Sequence, residues 1–144
     1  MDLSQAIRTG YYSVLDGNVF HNGHPVPIFD DFATAEGVNY PYIILSSQNN
    51  VQRFIKRCKN YDSTIVIDIV TGSSRPIGRA DSEDIAEQIE NIINPNGLDN
   101  VDIISNGYRI GNTFRIADNN IVSKNDVYYV YRKLLTYSHL VSKI

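Results

Sequence analysis

Leu3, Ile7, Tyr11 and Val14 or Leu15 fall three or four residues apart, the repeat of one helix face. Asp2 or Ser4 stands where a cap belongs, so residues 3–15 read as an amphipathic helix that Asp16-Gly17-Asn18 ends. The period then shortens. Val19-Phe20-His21 and Pro25-Val26-Pro27-Ile28 flank Asn22-Gly23, a pair suited to the positive φ angles of a type I′ turn, which predicts a small hairpin. Pro25 and Pro27 donate no ladder hydrogen bonds, so the second arm belongs at an edge or is an irregular extended piece. After a polar, loop-like stretch, "YPYIILSS" (residues 40–47) reads as a strand with proline at its entrance. The clearest alternation is "TIVIDIV" (residues 64–70), with Ile65, Ile67 and Ile69 on one face and Thr64, Val66, Asp68 and Val70 on the other.

Helical spacing returns over residues 82–93, where Ile85, Ile89, Ile92 and Ile93 form a stripe. Asp81 stands as N-cap, Asp84 completes a capping-box-like pattern, and Pro95 lies beyond the end. Weaker strands are expected near 101–105 and 109–116, punctuated by Asn106-Gly107 and Gly111-Asn112. The closing "DVYYVYRKLLTYSHLV" (residues 126–141) is assigned to one long strand, because Tyr128, Tyr129 and Tyr131 would crowd a helix but suit a pleated surface. The predicted class is α+β: a mostly antiparallel β-sheet with an N-terminal helix and a second helix near 82–93 packed on it. Without repeats, low-complexity tracts or a linker, residues 1–144 are expected to form one domain.

Composition narrows the function classes. The single cysteine, Cys58, excludes an internal disulfide and every multi-cysteine zinc pattern, which suits a reducing compartment. The start "MDLSQAIRTG" lacks a basic-then-apolar leader, and no apolar run approaches the roughly 18 residues of a membrane span, so a soluble protein with no membrane partner is expected. A formal net charge of −3 argues against a dedicated nucleic-acid binder and leaves room only for a local basic patch.

In the predicted hairpin His21 and His24 lie opposite each other with Cβ atoms about 5 Å apart, near enough to share a metal. Zinc needs further ligands, and Asp30 and Asp31, neighbours in an extended chain, point to opposite sides. A solvated turn is therefore expected there, with no metal and no general base. His139 is expected to be a cross-strand packing residue. Cys58 sits between Arg57 and Lys59 but has no histidine near it in sequence, and reads as structural or incidental. The glycines at 72, 78, 107 and 111 match neither a phosphate loop nor a dinucleotide fingerprint, and Pro76 removes an amide from any anion nest. No catalytic residue and no cofactor is expected. Residues 51–60 carry Arg53, Lys56, Arg57 and Lys59 and no acid. This is either a solvated connection between two strands or a basic surface for DNA or an acidic partner, which repetition around a ring would turn into an electropositive collar. Acting alone, it would make the chain a soluble nucleic-acid-associated or interaction module.

The order of these features resembles the tail-completion and tail-terminator-like proteins of tailed bacteriophages. The residues that carry the resemblance are the helix ending near Leu15, "VPIFDDF" (26–32), "YPYIIL" (40–45), "IVIDIVTG" (65–72), the helix over 81–93 after a Gly/Ser/Arg loop, and "YRKLLTYSHLV" (131–141). It implies a structural virion protein without catalysis, assembled in the host cytoplasm and located in the neck or tail. There it would form a homo-oligomeric ring, expected to be a hexamer, at the head–tail joint or tail end. Its partners would be connector or stopper proteins on one side and the tail tube on the other, with DNA passing through the lumen. Such rings need head-to-tail contacts. The candidate subunit-interface residues are His21, Asn22, Gly23, His24, Tyr128, Tyr129 and Tyr131. Arg53, Lys56, Arg57 and Lys59 are the candidate basic patch facing the lumen or a partner.

Overall fold

The computed structural model describes residues 2–30, 39–55, 58–76, 78–95 and 102–144, with the backbone alone for residues 47, 54, 55, 58 and 59. Helix α1 spans Leu3–Leu15; β1 (Phe20–His21) and β2 (His24–Pro25) form a separate two-stranded hairpin. A six-stranded sheet follows, built from β3 (Ile28–Phe29), β4 (Tyr42–Ile55), β5 (Cys58–Ser73), β6 (Ile103–Ser105), β7 (Tyr108–Lys124) and β8 (Tyr129–Lys143). Helix α2 (Ala80–Ile93) lies between β5 and β6 in sequence. The strand order is β3-β4-β5-β8-β7-β6, and every pairing is antiparallel except the short parallel one between β3 and β4. The α+β class, the two helices and the mostly antiparallel sheet are as the sequence predicts.

Both helices cover one face of the sheet. Ile65, Ile67 and Ile69 of β5 and Leu135, Tyr137 and Val141 of β8 meet Ile7, Tyr11 and Leu15 of α1 and Ile85, Ile89 and Ile93 of α2 in one buried cluster. Each fully buried isoleucine there contributes roughly 2–3 kcal/mol by leaving water. Helix α1 is capped as predicted, with the Ser4 amide donating to Asp2 Oδ2 at 3.1 Å. Gly10 lets α1 approach the sheet: a Cβ there would stand 2.9 Å from Ile103 Cγ2 and 3.2 Å from Ser105 Cβ.

Three expectations need correction. The strands foreseen at 40–47 and 64–70 are the inner parts of one long hairpin, paired without interruption from Gln48↔Ile65 to Ile55↔Cys58. Residues 51–55 and 58–60 of the basic stretch are therefore strand rather than a connection, with 51–53 exposed. Just before it, polar residues of β4 hide the strand because their partners are far away in sequence: Arg8 donates to Gln48 Oε1 at 2.7 Å, and Asn50 Nδ2 donates to Ser4 Oγ at 2.7 Å. The strand expected to end at 116 likewise runs to Lys124, where "ADNNIVSK" looks like a loop until Lys133 of β8 meets Asp118 at 2.9 Å and Asn120 at 3.4 Å. Finally, α2 starts at Ala80 with Arg79 as N-cap and no side-chain cap bond. Asp81 is not the cap; with Glu83 it lies inside the first turn, where the unpaired amides favour negative charge.

Candidate assembly surfaces

The Asn22-Gly23 turn forms as its residue types dictate: both have left-handed φ, 51° and 79°, and His21 stands directly opposite His24. Asn22 Nδ2 donates to His21 Nε2 at 3.2 Å. The hairpin is docked on α2, because Phe20 N donates to Gln88 Oε1 at 2.8 Å while Gln88 Nε2 donates back to Phe20 O at 2.8 Å. One glutamine side chain thus stands in for a neighbouring strand. Asp30 is exposed, and Asp31 lies outside the described residues. Among the described residues, no three of His, Cys, Asp or Glu come together in a way that could hold a metal ion.

His21, His24 and Pro25 line a cleft of about 310 Å³ whose other wall includes Tyr40 and Pro41. Tyr40 stacks on Tyr42 with ring centroids 5.7 Å apart and meets Tyr128 edge-on at 5.6 Å. The structure therefore links two candidate groups more than a hundred residues apart in sequence through one aromatic ring. Asn125 builds the adjoining β7–β8 turn, its Oδ1 accepting from the amides of Val127 at 2.9 Å and Tyr128 at 2.6 Å. Tyr128 is exposed, and Tyr129 is half-buried with Lys124 Nζ 5.1 Å from its ring centroid. Tyr131 differs: at 8% exposure it is buried within the chain and leaves the candidate surface. The alternation of β8 explains this, since odd-numbered positions from 131 to 141 turn towards the helices.

Arg53 is exposed but ion-paired with Asp62 on the adjacent strand. Lys59 lies on β5, and Lys56 and Arg57 fall outside the described residues.

Sequence reasoning missed a set of buried polar pairs. On the face that is bare of described helices Asp68, fully buried, accepts from Arg132 Nε at 3.4 Å and more closely from Nη2. The hydrogen bond to Asp68 raises the Arg132 pKa further. On the helix-covered face, Tyr11 and His139 Nδ1 share a hydrogen bond of 3.0 Å. Burial pushes the Tyr11 hydroxyl well above its ordinary range, offset in small part by the Thr113 hydroxyl. Burial pushes His139 down to about 4. Tyr137, raised by burial and then by its bond to Glu90, donates to Glu90 Oε2 of α2 at 2.5 Å. His139 is thus a packing residue, as expected, but its partner comes from α1. A lone acid inside an isoleucine-rich strand, matched by an arginine in the closing strand, was the signal available for Asp68–Arg132.

No described helix is long and apolar enough to cross a membrane. No protein-family model matches the chain, and no curated protein matches it in sequence. Its fold is similar to that of a chain in a solved structure described as the virion of a native gene transfer agent (GTA) particle, with a TM-score of 0.64 at 12% identity. The likeness covers 97% of this chain and 94% of that one. At that identity it is a likeness of fold.

Proposed function

We propose that this chain is a structural virion protein, without catalysis, that forms a ring of identical copies at the head–tail joint or tail end. Six copies are the ring order the phage-family resemblance carries. The ring would join connector or stopper proteins to the tail tube and leave a lumen for DNA. The observation that carries this reading is the fold likeness to a virion chain over nearly the full length of both. The cleft beside the His21–His24 hairpin, whose Tyr40 meets Tyr128, is the proposed contact with a neighbouring subunit or virion protein. With Arg53 neutralised by Asp62, the proposed lumen or partner-facing charge rests on Lys56, Arg57 and Lys59. Mass photometry and negative-stain imaging of the purified chain, alone and with the neighbouring neck and tail proteins, test the reading. Rings with a central opening are expected; a chain that stays monomeric in both conditions overturns it.

A further inference from the structure

Among the described residues the sheet is unpaired along most of each long edge strand, and the two unpaired stretches are complementary. β3 pairs with β4 only at Ile43 and Ile44, and β6 pairs with β7 only at residues 108–110. Among the described residues no strand pairs with the outer side of β4 over 46–55 or of β7 over 111–124. An edge of that length presents a row of unpaired amides and carbonyls ready to accept another strand. Apolar exposure is found there too: of the eleven large hydrophobic residues exposed among the described residues, Val51, Phe114, Ile116, Ile121 and Val122 sit on these two segments.

The segments lie on opposite edges and at different heights. Register places 48–55 of β4 beside residues 58–65 of β5, whereas 111–124 of β7 stand, through β8, level with residues 62–73. β4 runs in the same direction as β8 and β7 against it, so β7 of one copy placed beside β4 of the next continues the antiparallel alternation.

We propose that residues 111–124 of β7 in one copy pair antiparallel with residues 46–55 of β4 in the next, so that the sheet runs on from subunit to subunit. This rests on the ring reading above and names its contact. Aligning the midpoints of the two unpaired stretches shifts neighbouring copies by about six residues, roughly 20 Å along the strands, for each roughly 19 Å of sheet width contributed by four strands. That slope corresponds to strands tilted about 45°, at the upper end of the 35–45° at which a sheet closes on itself. A symmetric pairing of two β7 edges would satisfy one edge and leave β4 open; the head-to-tail pairing uses both and propagates until it closes.

Amide hydrogen exchange, read by mass spectrometry on the full chain as a dilute monomer and in its assembled form, tests the contact. On assembly, the outward-facing alternate amides of 46–55 and of 111–124 are expected to slow together by at least about tenfold. An assembly in which neither segment slows, or only one does, overturns the edge pairing while leaving the ring intact. Failure to assemble with the neighbouring virion proteins shows in the measured mass before exchange is read, and overturns the ring reading and the pairing with it.

Discussion

The two faces of the sheet come from the same strands and live in different solvents. In "TIVIDIV" the odd-numbered isoleucines at 65, 67 and 69 are fully buried under α1 and α2. The even-numbered residues between them face the side that carries no described helix, where Asp68 has Arg132 for company and Ile44 and Val70 pack with Phe29, Tyr40, Tyr42 and Val130 in a second, smaller cluster. Alternation sorts the side chains; the helices cover the larger buried set, while Ile44 and Val70 are buried on the other face among aromatic rings. Polar groups follow the same division: His139 and Tyr137 are locked to helix residues, while Arg132 remains in part exposed to water beside Asp68.

Replacing Ile67 by alanine should sharpen the contrast most, costing about 3–4 kcal/mol through a cavity that α1 and α2 cannot fill, against less than about 1 kcal/mol for Val66→Ala on the bare face. Urea unfolding midpoints measure both, and equal losses would contradict the division. The next effect is in pH. His139 titrates near 4 in the folded chain, below its ordinary 6.5, because burial disfavours the charged ring. The folded state therefore binds fewer protons than the unfolded one across that window. Stability should be complete above about pH 6.5 and fall by roughly 3 kcal/mol as the pH drops to 4. Unfolding curves of the His139→Gln variant should lose that slope; an unchanged slope would assign it to other groups.

On the bare face, Arg132→Met leaves the buried Asp68 carboxylate without its counter-ion and should cost about 2 kcal/mol, the low end for a broken pair because Arg132 is partly solvated. Adding Asp68→Leu to that variant should recover most of the loss, and a double variant as unstable as the single one would deny the pair its role. Smallest is Gly10→Ala, whose methyl meets Ile103, Ser105 and Ile110 at 2.9–3.3 Å. The overpacking should outweigh the helix-propensity gain of nearly 1 kcal/mol and leave a net loss of about 1 kcal/mol, seen as a lower thermal midpoint.

Most of the fold was legible where the pattern had a face. Helix α1 with its Asp2 cap, the Asn22-Gly23 turn, the inner parts of β4 and β5, the isoleucine stripe of α2 and the strand assignment of the closing segment all follow from period and turn chemistry. The parallel β3–β4 pair was not legible, because a two-residue strand carries no period. Nor were the outer halves of the two long hairpins, since Gln48, Asn50, Asp118 and Asn120 are polar residues that a local pattern assigns to loops. Of the candidate surface, the His21–His24 geometry was readable from the turn. Its connection to Tyr128 through Tyr40 was not, and the burial of Tyr131 depends on which face of β8 the helices cover.

By itself, the sequence determined which side of each element turns inward, because apolar residues at period two or three and a half leave water only together on one face. Tertiary structure alone decided how far the strands run and where, among the described residues, their edges are left unpaired. Gln48 is held as strand by Arg8, forty residues earlier, and Asp68 is tolerated in the sheet by Arg132, sixty-four residues later. Such partners satisfy polar groups that a local reading must assign to solvent, and only once they are in place do the free edges of β4 and β7 exist.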